Sequence, residues 1–228
     1  MIHMTGVSKV YSNGSVALSD IHVDIEKGDF VFVVGPSGAG KSTFIKLIFR
    51  EELPTHGQLV VNGRNVTNMP PSEVPYLRRG LGIVFQDYRL LPEKTVYENV
   101  AFAMRVIEAP RREIQKRVNS VLDLVGLRDK CRSFPNQLSG GEQQRIAIAR
   151  AIVNSPVVVI ADEPTGNLDP ETSWEIMKIF ERINKAGTTI VMATHDKTIV
   201  DTMRKRVIAI ERGRIVRDQM KGVYGYED

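Results

Sequence analysis

Gly35-Pro36-Ser37-Gly38-Ala39-Gly40-Lys41-Ser42 stands between an apolar run, Phe30 to Val34, and a helical stretch reaching from Lys41 to about Phe49. An unbroken apolar run without alternation suits a strand buried on both faces of a parallel sheet. The eight residues fit glycine, four variable residues, then glycine, lysine and serine or threonine. Glycines let the backbone curl so that its N–H groups converge on phosphate oxygens, and the following helix adds its positive N-terminal end. In such a loop Lys41 reaches the outer phosphates and the Ser42 hydroxyl ligates Mg²⁺. Gly35 through Thr43 are therefore candidate nucleotide-binding residues.

Outward from this loop the chain reads as α/β. Residues 2–25 carry alternating apolar positions (Ile21, Val23, Ile25) and turn signals at Asn13-Gly14 and Lys27-Gly28, which predict antiparallel strands with one wet face. Gln58 to Val61 predicts a strand closed by Asn62-Gly63. Ile114, Val118, Val121, Leu122 and Val125 recur at steps of three and four, one face of a helix that Gly126 ends. After a helix from Gly140 come a strand at Val157 to Ala161, a helix from Glu171, a strand at Thr188 to Thr194 and a hairpin around Arg212-Gly213. The expected organisation is one domain over 1–228. Residues 1–86 and about 155–228 form a P-loop core with an antiparallel β subdomain, and about 87–154 form an inserted helical subdomain.

Composition narrows the class. No apolar run approaches the roughly 18 residues that suggest a membrane span. The start, MIHMTGVSKVY, lacks a charged segment followed by an apolar one, so a cytosolic chain is expected. Cys131 is the sole cysteine, which leaves no intrachain disulfide and no cysteine metal cluster. The net charge of +4, from 31 basic and 27 acidic residues, is too weak and scattered to argue for nucleic acid. Arg111-Arg112 and Arg204-Lys205-Arg206 read as solvated faces, with a minor contact to anionic lipid left open.

Two further segments carry chemistry. Val157 to Ala161 runs into Asp162-Glu163, a buried strand ending in two carboxylates. One is suited to Mg²⁺ and the other to taking a proton from water. Leu138-Ser139-Gly140-Gly141-Glu142 is a capping-box pattern in which paired glycines leave the backbone bare at a helix start, a second anion site. Its ready use is to cover the γ-phosphate of a nucleotide on another chain. Guanine recognition is not expected, since the nearest match to Asn-Lys-x-Asp ends in glycine at Gly187. Tyr11 either packs or stacks on adenine.

Leu138 to Arg145, with Gln86 after Ile83-Val84-Phe85, Asp162-Glu163, Gly166-Asn167-Leu168-Asp169 and His195, resembles the ABC ATPase family over essentially the whole chain. The resemblance implies a head-to-tail homodimer with two ATPs between the chains. Lys41 of one chain and Ser139, Gly140, Gly141 and Glu142 of the other would grip each nucleotide, with Asp169 nearby. It implies Glu163 as general base, His195 on the γ-phosphate, and Asp162, Ser42 and Gln86 around Mg²⁺. Gln86 would also link nucleotide to helical lobe, and the lobe would dock on an integral membrane partner.

Ala161 to Asp169 resembles a subgroup holding cell-division, lipoprotein-release and export ATPases. Phe85 to Pro92, followed by Lys94 to Val100, is most similar to its cell-division branch. That branch implies work at the cytoplasmic face of the membrane at the division site, with ATP turnover activating peptidoglycan hydrolases and with other division proteins as possible partners. Lipoprotein release or export is the alternative. Soluble family members acting on DNA or ribosomes carry long coiled-coil insertions or tandem domains, and neither is present.

Overall fold

The computed structural model describes residues 1–225. The chain opens with β1 (Ile2–Val10) and β2 (Val16–Ile25), then enters β3 (Phe30–Val34) and α1 (Lys41–Ile48). β4 (His56–Val61) and the two-residue β5 (Arg64–Asn65) form a hairpin through Asn62 and Gly63, both at positive φ. β1, β2, β4 and β5 make a four-stranded antiparallel sheet in the order β2-β1-β4-β5.

A short helix α2 (Val74–Arg79) leads into β6 (Leu81–Val84), after which the chain forms α3 (Val96–Arg105), α4 (Arg111–Leu124) and α5 (Gly140–Ile152) before β7 (Val158–Asp162). Among the described residues no strand lies between β6 and β7. Then follow α6 (Pro170–Lys185), β8 (Thr189–Ala193), α7 (Lys197–Met203), β9 (Arg206–Glu211) and β10 (Arg214–Gln219). The second sheet has the order β10-β9-β3-β8-β7-β6, parallel except for β10.

β3 shows why its sequence is apolar throughout. Phe30, Phe32 and Val34 face a core shared with α3 to α6, while Val31 and Val33 face a second core shared with α1 and the antiparallel sheet. Side chains alternate across a strand, so a strand covered on both faces has no wet position. Phe44 of α1 is fully buried beneath the antiparallel sheet. Burial of a side chain of that size contributes about 1.5–3 kcal/mol. β3, β7 and β8 thus end side by side, and the loops leaving them share one edge.

Two elements were not visible in the periodicity. α2 and α7 have six and seven residues, under two helical turns, so no apolar face repeats. α7 is set by a local device, the Asp196 carboxylate accepting from Ile199 N at 3.0 Å.

Candidate functional site

The phosphate loop is shaped by two glycines that nothing larger could replace. Gly35 and Gly40 hold φ of 146° and 111°. A Cβ would lie 2.1 Å from the Ile210 carbonyl oxygen at the first, and 2.4 Å from that of Ala17 at the second. The loop is pinned by Ala39 N donating to Pro36 O at 3.2 Å and by Gly213 N, at the β9–β10 turn, donating to Ala39 O at 3.0 Å. α1 starts with no side-chain cap, so its first N–H groups have no side-chain acceptor and suit an anion. Lys41 is only 9% exposed. Its ammonium donates to Gly35 O at 2.8 Å and Pro36 O at 3.1 Å.

The β7 end meets this loop. Ser42 Oγ donates to Asp162 Oδ1 at 3.5 Å. Burial pushes the Asp162 carboxyl above its ordinary pKa, an effect the Ser42 bond partly offsets and the neighbouring Glu163 charge increases. Glu163 follows at φ 50°, a left-handed conformation that costs a non-glycine residue about 1–3 kcal/mol. Its Oε2 lies 2.7 Å from His195 Nδ1 and accepts from His195 N at 3.3 Å. A cleft of about 380 Å³ is lined by Tyr11, Ser37, Gly38, Lys41, Thr43 and Glu163 among others. Tyr11 OH and Thr43 Oγ1 are 3.0 Å apart.

Ser139 to Glu142 lie elsewhere. None of them lines that cleft. The capping box is formed: Glu142 N donates to Ser139 Oγ at 3.3 Å and Ser139 N to Glu142 Oε2 at 3.0 Å. Glu142 also pairs with Lys130, which foremost holds its carboxyl below the usual range. The expectation of bare glycines needs correcting. Gly141 is buried, and a Cβ there would stand 2.3 Å from Thr172 Cγ2. A Cβ on Gly140 would meet the Tyr88 hydroxyl at 3.0 Å. The glycines let α5 approach α6 and the segment after β6, while exposed Ser139 faces solvent.

Gln86 sits beside Asn167, its Nε2 donating to Asn167 Oδ1 at 3.4 Å, and is not among the residues lining the cleft. Asp169 caps α6 through Thr172 N at 2.9 Å. The sequence reading passed over Gln144 and Arg150. Fully buried Gln144 donates to Pro164 O at 2.7 Å, tying α5 to the residue after Glu163. Arg150 donates to Tyr88 O at 2.8 Å and Arg89 O at 2.6 Å, holding the segment after Gln86. For Arg150 a charged residue among apolar ones on a helix was the available signal; Gln144, between Gln143 and Arg145, offered none.

Residues 18–166 match the family model described as ABC transporter, so the chain belongs to the ABC transporter family of ATPases, and as a member it is an ATPase. Within that family it is 62% identical over 228 residues to the cell division ATP-binding protein FtsE of Streptococcus pneumoniae, covering 100% of this chain and 99% of that one. The FtsE of Bacillus subtilis is also 62% identical over 228 residues, with both chains fully covered. Among solved structures it is similar to the ATP-binding cassette MJ0796 in a dimeric post-hydrolysis state bound to ADP and Pi. The TM-score is 0.88 and the identity 33%, over 99% of this chain and 100% of that one.

Proposed function

We propose that this chain hydrolyses ATP as a head-to-tail homodimer and drives an integral membrane partner resembling FtsX, at the cytoplasmic face of the membrane at the division site. FtsE relatives at 62% identity favour this over lipoprotein release or export. One observation carries the shared site. The phosphate cleft has Lys41, Ser42 and Glu163 on its wall, while Ser139, with its cap formed and its side chain exposed, stands outside it. A second copy turned head to tail brings exposed Ser139 and the start of α5 over the first copy's cleft. The dimeric cassette similar to this chain is consistent with that arrangement.

Mg²⁺ fits the donors. No cluster of three or more His, Cys, Asp or Glu suited to a metal occurs among the described residues, so Ser42 and Asp162 would hold the ion together with phosphate oxygens. Burial raises the Asp162 carboxyl above its ordinary pKa, and a bound cation would favour its charged form. Gln86, the third member of the expected set, would have to leave Asn167 to join them. When bound, Mg²⁺ neutralises charge on the phosphates.

In the proposed cycle Lys41 leaves the Gly35 and Pro36 carbonyls for the outer phosphates. Glu163 takes a proton from the attacking water, oriented by its bond to His195, and His195 reaches the γ-phosphate. Tyr11, against Thr43, supports the adenine end. Gln86 and the Arg150-held segment pass the change to the helices that dock on the membrane partner.

Phosphate release with Mg-ATP tests the assignment. Glu163→Gln is expected to bind ATP normally and turn over at least about 100-fold more slowly. Turnover at the normal rate would remove Glu163 as the base.

A further inference from the structure

The segment after β10 crosses back over the parallel sheet and brings Tyr224 against the phosphate loop. Arg217 of β10 donates to Val223 O at 2.6 Å, to Tyr224 O at 2.9 Å and to Gly225 O. Tyr224 N donates to Asp201 Oδ1 of α7 at 2.6 Å, and Gly222 N donates to Lys205 O at 3.0 Å. Gly222 is needed for this path, since a Cβ there would come within 2.8 Å of Val207 Cβ. The Tyr224 ring packs on the helix-side core, and its hydroxyl donates to Gly35 O at 3.5 Å. That carbonyl also receives Lys41 Nζ.

We propose that residues 221–225 form a strap that positions the phosphate loop, with the Tyr224 hydroxyl as the standing donor to the Gly35 carbonyl once Lys41 moves to the phosphates. Gly35 is buried. A buried carbonyl stripped of its donor loses its hydrogen bond without regaining water, so Lys41 departure is opposed unless another donor stays. Arg217, Asp201 and the Gly222–Lys205 bond hold Tyr224 where it supplies one. Burial, and to a lesser degree the nearby Glu163 charge, raise the Tyr224 pKa, so the hydroxyl keeps its proton at physiological pH. Tyr224 is thus a positioning residue: it acts through Gly35 and Lys41 and touches no phosphate.

The inference rests on the reading that this loop binds ATP, and the experiment separates the two. Mg-ATP and AMP affinities and steady-state phosphate release are measured for wild type, Tyr224→Phe and Arg217→Ala. Tyr224→Phe keeps the ring and is expected to weaken ATP binding and raise KM about 3–10-fold, the effect of one neutral hydrogen bond. Its kcat should stay within about twofold, and AMP, which has no outer phosphates for Lys41, should bind unchanged. Arg217→Ala, which releases the strap, should raise KM at least as much. A merely structural role would instead lower kcat or the unfolding temperature with KM unchanged, and that result would overturn the strap. Wild type that fails to bind ATP defeats the ATPase reading; wild type that binds, with Tyr224→Phe indistinguishable from it, defeats the strap alone.

Discussion

Burial raises the Asp162 carboxyl above its ordinary pKa, so in the nucleotide-free protein its charge is a cost to the fold. The sign follows from linkage. The folded state holds this proton more tightly than the unfolded chain, whose aspartates titrate near about 3.9. The cost is absent below that pH, grows as pH rises toward the folded value, and is complete above it. Asp162→Asn is therefore expected to raise the melting temperature of the nucleotide-free protein at pH 7 by about 1–4 °C, with the gain fading below about pH 4. A lower melting temperature at pH 7 would mean that the carboxylate is held favourably without a cation. The same substitution should cost most of the Mg-dependent ATPase activity. Glu163, at positive φ beside Asp162, adds a second strained feature at this strand end. Strain of that kind is retained where the surrounding structure and a function both hold it.

Elements show where the sequence could be read and where it could not. β3 was legible because an apolar run bounded by a glycine loop has few other uses, and the α5 start because Ser139 and Glu142 are three residues apart on one local motif. The burial of Gly141 was not legible, because the surface it meets, Thr172, lies 31 residues away (172 minus 141) on α6. Sequence spacing carries no signal for that contact, and the exposure expected of both glycines does not hold for Gly141, which is buried. The packing gives a prediction. Gly141→Ala forces a methyl to within 2.3 Å of Thr172 Cγ2 and should destabilise the domain by about 1–3 kcal/mol in urea unfolding. Adding Thr172→Ser, which removes that methyl and keeps the hydroxyl, should recover at least half of the loss. No recovery would show that the glycine serves backbone conformation and not the α5–α6 approach. Arg150 and Gln144 were missed for a related reason. Their partners are backbone carbonyls of segments brought close only by the fold.

For the whole molecule, the layered order of sheet, loop and helix gathers one half of a phosphate site at the edge where β3, β7 and β8 end. The start of α5, proposed as the other half, stands apart from that cleft. The first half was readable from local motifs, Gly35 to Thr43 and Asp162-Glu163, and the family resemblance supplied the reason for the second. What no local pattern offered was the wiring between them: the Gly213 turn on the loop, Arg150 on the segment after Gln86, and the Tyr224 strap. In the proposed dimer Lys41 and Ser139 of different chains complete one site. The direct test mixes Lys41→Ala with Ser139→Arg, a change at an exposed position, and measures ATP hydrolysis of each variant and of the equimolar mixture. Each variant alone should be near background. Half of randomly paired dimers are mixed, and each carries one intact site of two, so the mixture should recover about a quarter of the wild-type rate. A mixture no more active than its components, or either variant alone turning over at the wild-type rate, would contradict the shared site.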